Sequence, residues 1–106
     1  MISKDTIQQA VRILAEQVVV QRVILFGSYA NGTAREDSDL DFLVIETGLT
    51  SRRAEMVRLR ASLRPLGLPV DVMVADADQF EAWKDHPGTA LFEAAQHGQV
   101  VYERAG

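Results

Sequence analysis

Asp39 and Asp41, one residue apart, head a run that continues Phe42-Leu43-Val44-Ile45. Side chains alternate along a strand, so both carboxylates leave the same face. Left bare they repel each other, so either one is protonated or a hard divalent cation sits between them, and the cation is the favoured reading. Upstream, the apolar run from Val23 to Phe26 stops abruptly at Gly27-Ser28, as a buried strand does when it hands over to a tight turn and a helix start. Glycine lets backbone approach a ligand, serine adds a hydroxyl, and the first amides of a short helix point at an anion. A third carboxylate, Asp71, opens a later run of β-branched residues. Three carboxylates on neighbouring strands supply oxygen ligands for two Mg²⁺ ions, with water and nucleotide phosphates completing the octahedra. A phosphate cradle beside such a set points to phosphoryl or nucleotidyl transfer, in which the protein positions groups and neutralises charge. Taken singly, Ser38-Asp39 reads as a turn and Asp71 as a strand-end cap. Their combination with Gly27-Ser28 favours a catalytic site.

The elements that must position these residues follow from periodicity. Ile7, Ala10, Val11, Leu14 and Val18 recur at helical spacing, so residues 4–17 are predicted as an amphipathic helix capped by Ser3 or Asp5. Residues 18–26 read as the first strand and residues 39–45 as the second. The turn-rich stretch between them, Tyr29 to Ser38, brings the chain back so that these two strands run antiparallel. A helix over 51–64 places Met56, Leu59 and Leu63 inward and is stopped by Pro65 and Gly67. The strand from Pro69 to Val74 then lies parallel to the second, because a strand-helix-strand crossover is right-handed and joins parallel neighbours. Asp71 thereby starts its strand beside Asp39 and Asp41. Asp76 or Asp78 caps a short helix carrying Phe80 and Trp83, His86-Pro87-Gly88 breaks it, and a last helix with Ala90, Leu91, Ala94 and Ala95 ends at Gly98. Val100 to Tyr102 forms a final short strand. The predicted fold is α/β (α+β): a small mixed sheet with strands one, two and three side by side, and helices on the face opposite the site.

At 106 residues the chain is read as a single domain, 1–106, with one hydrophobic core. It has no cysteine, which excludes disulfides and thiolate metal sites. No apolar segment is long enough to cross a membrane and the N-terminus lacks the apolar core of a signal peptide, so a cytoplasmic location is expected. A formal charge of -4 argues against a nucleic-acid binder while leaving room for a compact nucleotide held through Mg²⁺.

The wording Leu25-Phe26-Gly27-Ser28-Tyr29-Ala30-Asn31-Gly32-Thr33-Ala34, followed by Asp37-Ser38-Asp39-Leu40-Asp41 and the strand-borne Asp71, resembles the minimal nucleotidyltransferases of the DNA polymerase β-like nucleotidyltransferase superfamily. The resemblance covers nearly the whole chain, down to Gly98 and Val101-Tyr102-Glu103. It implies that Gly27 and Ser28 hold a nucleotide triphosphate, that Asp39 and Asp41 bind both metals, and that Asp71 completes the metal site and is a candidate base. It also implies a partner, since members are typically encoded beside a HEPN-domain ribonuclease toxin and some act as antitoxins by transferring AMP from ATP to a tyrosine of that toxin. One departure is Asn31, where many relatives carry an arginine that contacts phosphate or partner.

The resulting expectation is Mg²⁺-dependent transfer of AMP from ATP to a protein hydroxyl, with a partner or second copy completing the site in a homo- or hetero-oligomer. Two rivals are an antitoxin that acts by binding alone and a small-molecule nucleotidyltransferase; the intact carboxylates oppose the first and the absence of an acceptor domain opposes the second. Arg53, Arg60 and Arg64 share a helical face and, with Arg52, read as solvated surface, the alternative being a basic strip that meets an acidic partner. Tyr29 is read as core cover rather than a base-stacking platform, Phe80 and Trp83 as a core lid, and His86 and His97 as lacking metal-ligand spacing.

Overall fold

The computed structural model describes residues 1–105. Ser3 opens the first helix, α1 (Lys4–Ala15), its Oγ accepting from the Thr6 amide at 3.2 Å. β1 (Val20–Phe26) follows, then a single helical turn, α2 (Ser28–Asn31), and β2 (Leu40–Glu46). Ser51 caps α3 (Arg52–Leu63), which tightens into a 3-10 turn over Arg64–Leu66 and ends at Gly67, whose φ of 64° is left-handed. β3 (Val70–Asp76) runs directly into α4 (Ala77–Trp83), and α5 (Ala90–His97) leads to β4 (Gln99–Glu103).

The sheet order is β3-β2-β1-β4. β1 pairs antiparallel with β2, and β2 parallel with β3, as the crossover through α3 requires. β4 lies antiparallel on the outer side of β1, so β3 and β4 are the two edges. The central position of β1 and β2 explains their continuous apolar runs, since each is covered on both faces. On one face Val23, Leu25, Leu40, Phe42, Val44, Val72 and Val74 pack with Ala10 and Leu14 of α1 and Leu59 and Leu63 of α3. On the other, Ile24, Leu43, Ile45 and Ala75 meet Phe80 of α4 and Ala94 of α5.

Several expectations need correction. Helices cover both faces rather than only the face opposite the site, because α4 and α5 pack on the site's own face farther along the strands. The first strand begins at Val20, and Val18 is 75% exposed instead of belonging to the apolar stripe of α1. Phe80 is buried, but Trp83 is 47% exposed and its ring lies tilted against His86, with ring centroids 4.9 Å apart. Trp83 is the last residue of α4, where the chain leaves the helix.

Candidate active site

Gly27 follows β1, Asp41 is the second residue of β2 and Asp71 the second of β3, so all three lie at the same end of three adjacent strands. The register fixes the grouping: Phe26 is opposite Asp41, and Asp41 is beside Asp71. Since Leu40, Phe42, Val70 and Val72 point to the α1/α3 face, Asp41 and Asp71 both leave the opposite one. Asp39 precedes β2. It is placed by a reciprocal turn in which the Arg35 amide donates to Ser38 Oγ at 2.8 Å and the Ser38 amide to the Arg35 carbonyl at 3.0 Å. The amide of Leu40 donates to the Pro69 carbonyl at 2.9 Å, tying the starts of β2 and β3 together.

Gly27 has φ 74° and ψ -153°, a conformation that L side chains rarely adopt. A Cβ built there overlaps Asp41 Oδ2 and stands 3.3 Å from its Cγ. Glycine is therefore required both by the turn and by the close approach of the Asp41 carboxylate. The carbonyl of Gly27 accepts from the amides of Ala30 and Asn31 at 3.0 and 3.1 Å, which starts α2 immediately at Ser28. Tyr29 packs against the core and its hydroxyl accepts from the Ile2 amide at 3.0 Å, so it covers the core as expected. Asn31, the departure from the common arginine, is used locally: its Oδ1 accepts from the Thr33 amide at 3.1 Å and the Thr33 hydroxyl at 2.5 Å.

Asp41 titrates above its ordinary value, first because it is partly buried and then because Asp71 and Asp39 press on it with like charge. This concentration of carboxylates is the electrostatic condition that a hard divalent cation relieves, and an all-oxygen donor set beside a glycine cradle fits such an ion. Nevertheless, among the described residues no three acidic or imidazole side chains converge on one point as ligands. Asp71 is engaged elsewhere: Arg60 Nη2 donates to Asp71 Oδ1 in an ion pair whose side chains are 45% and 47% exposed. Arg60 is thus more than the solvated surface that helical phase assigns it. The site is an open shelf: Asp39 is exposed and Asp71 half-exposed, and the groove of about 460 Å³ between α1 and β4 contains none of these residues.

A family model for the nucleotidyltransferase domain matches residues 7–97, a span that contains Gly27-Ser28, Asp39, Asp41 and Asp71. The chain belongs to the nucleotidyltransferase domain family. A 33-residue segment is 61% identical to the Methanocaldococcus jannaschii protein called "Putative protein adenylyltransferase MJ1305"; the match takes in 31% of this chain and only 22% of that protein. Among solved structures, the fold is similar to a "putative nucleotidyltransferase" of Sulfolobus solfataricus, with a TM-score of 0.60 and 19% identity over 97% of this chain and 91% of the other. It is also similar to a "toxin-antitoxin with AMP-PNP" structure, with a TM-score of 0.63 and 19% identity over 97% of this chain and 75% of the other. At these identities the likeness is one of fold, and the mixed sheet flanked by helices is the architecture expected from the sequence.

The sequence reads Arg60 as solvated surface and not as a partner of Asp71. A charged residue that escaped the sequence reading altogether is Glu46, the last residue of β2, which is 2% exposed beneath α3. A signal for it existed: Phe42, Val44 and Glu46 share the buried parity of the strand.

Proposed function

We propose that the chain is a Mg²⁺-dependent nucleotidyltransferase that moves AMP from ATP to a tyrosine hydroxyl of a HEPN-domain ribonuclease toxin, acting as its antitoxin in the cytoplasm. The observation that carries the reading is Asp41, held between the glycine turn and Asp71 with its carboxyl raised by partial burial and by the like charges of Asp71 and Asp39. Membership of the nucleotidyltransferase family supports the reaction class. The name of the M. jannaschii relative and the toxin-antitoxin structure with AMP-PNP support a protein acceptor and an adenosine triphosphate donor. The open shelf, with Asp39 exposed and Asp71 half-exposed, suits a partner surface that completes the site.

In this reading Gly27 and Ser28 receive the triphosphate, the glycine by letting backbone come close and the serine through its hydroxyl. Asp39 and Asp41 would hold two Mg²⁺ ions, and Asp71 would complete the set on the acceptor side. When bound, the ions supply charge neutralisation at both the attacking and the leaving oxygen. The acceptor oxygen attacks the α-phosphorus in line, the bond from that phosphorus to the bridging oxygen breaks, and pyrophosphate leaves. Asp71 takes the hydroxyl proton, for which a carboxylate at the rim of the shelf has the necessary access.

The direct test is the intact mass of a co-expressed HEPN partner, with this chain unaltered or carrying Asp39→Ala and Asp41→Ala. A gain of one or more adenylyl units only with the aspartates present supports the reading. A stable complex and suppressed toxicity with the double variant, and no mass gain with either, means that neutralisation is by binding.

A further inference from the structure

β3 is an edge strand, so no further strand shields the outer side of Asp71. α3 packs on the opposite face of the sheet through Leu59 and Leu63, both essentially fully buried. Arg60 lies between them on an anchored backbone, and its side chain reaches round the open rim to Asp71 Oδ1. A guanidinium keeps its charge at any accessible pH and has five donors in a fixed fork, so it is a permanent monocation placed against a carboxylate of a triad that carries up to three negative charges. Asp41 feels that excess directly, through Asp71 and Asp39. One oxygen of Asp71 is thus already engaged by Arg60.

We propose that Arg60 is a positioning residue that stands in for the divalent cation, holding Asp71 at the rim of the cation-free site, and that it must leave Asp71 before the carboxylate can serve cation or acceptor. This rests on the divalent-cation reading of Asp39, Asp41 and Asp71 given above. Arg60 holds Asp71 in the resting protein and competes with the cation for this one of its ligands. Cation affinity without nucleotide is therefore set below what the three carboxylates alone give. Because the pair is half-exposed, the competition is modest, on the order of two- to fivefold in affinity.

Mn²⁺ alone is the probe, with free ion counted by its electron paramagnetic resonance signal in nucleotide-free protein. Arg60→Gln is expected to bind Mn²⁺ about two- to fivefold more tightly than the unaltered chain, and Arg60→Lys to stay near it. In a background of Asp71→Asn the Arg60→Gln effect is expected to vanish, since the two act as one pair. General damage to the fold weakens binding, so tightening is not a structural side effect; thermal melts check that both Arg60 variants are folded. Unchanged or weaker binding by Arg60→Gln, while Asp39→Ala with Asp41→Ala abolishes it, overturns the inference and leaves the cation site standing. Absence of Mn²⁺ binding by every variant and by the unaltered chain overturns the cation reading itself and this inference with it.

Discussion

Replacing Glu46 by Gln is expected to make the protein more stable at pH 8 while leaving it nearly unchanged at pH 5. Glu46 is 2% exposed, and its Oε2 is buried with no hydrogen-bond partner. The group facing it is another carboxyl, Glu55, which Arg58 grips through Nε and Nη2 at 2.7 Å each while Nη1 donates to Gln17 Oε1 at 2.7 Å. Arg58 thus holds Glu55 ionised, below the usual carboxylate range. Burial, a hydrogen bond to Glu55 and the repulsion of Glu55 together push Glu46 up to about 7, against some attraction from Arg58. Protonated Glu46 donates to Glu55; ionised Glu46 is a buried charge facing a like charge.

The sign follows from linkage. The folded protein holds this proton more tightly than the unfolded chain, so the contribution is fully present below about pH 4.5 and is lost as pH rises through about 7. The size is about 3 kcal/mol at most, from 1.36 kcal/mol per tenfold change in proton affinity. Glutamine keeps a donor for Glu55 and cannot ionise. Urea unfolding of both proteins at half-unit pH steps from 5 to 8 measures the difference directly, and other titrating groups cancel in it. The expected difference is below ~1 kcal/mol at pH 5 and grows to ~2–3 kcal/mol in favour of the variant at pH 8. A difference that stays flat with pH, or a variant less stable at pH 8, refutes the claim that Glu46 is folded as its acid.

Other substitutions separate backbone, cap and core. Gly27→Ala meets both a left-handed φ and the Asp41 carboxylate, so a loss of about 1–3 kcal/mol in urea unfolding is expected, with weakened Mn²⁺ binding as Asp41 is displaced. Asp76→Ala removes two bonds of 3.1 Å at once, to the Asp78 amide that starts α4 and to the Leu49 amide in the loop after β2. About 1–2 kcal/mol is expected, with faster hydrogen exchange at Leu49 as the local readout. Leu59→Ala leaves a cavity between α3 and the sheet and is expected to cost about 2–5 kcal/mol, whereas Trp83→Ala on the exposed side of α4 stays within about 1 kcal/mol in the same assay.

Much of this arrangement was legible because it depends on local rules that combine. The apolar runs Val23 to Phe26 in β1 and Phe42 to Ile45 in β2 mark strands covered on both faces, and Gly27 after Phe26 marks the point where one of them must turn. A parallel crossover of the length of α3 then brings Asp71 beside Asp41 without any knowledge of side chains. Ser3, Asp76 and Gly98 were readable as helix punctuation; Gly98 is also demanded by space, since a Cβ there meets the Ala94 carbonyl and Ile24. The placement of α4 and α5 on the site's face was not readable, because two short helices leave too little periodicity to say which side of a sheet they choose.

The charged residues show why the remainder was hidden. Glu46 stands next to Thr47-Gly48, where a strand ends and a polar side chain ordinarily escapes to water; only the packing of α3 over that end removes the escape. Arg60 presents the converse case. Its helical phase is outward and correctly so, for it is half-exposed, yet phase describes where a Cβ points and not where a long side chain comes to rest. Its partner is fixed by β3 lying at the edge, a fact about strand order that no residue near Arg60 encodes. The candidate site is therefore written in the sequence as a set of acids, whereas the cation that the structure sets against them comes from an element chosen by topology.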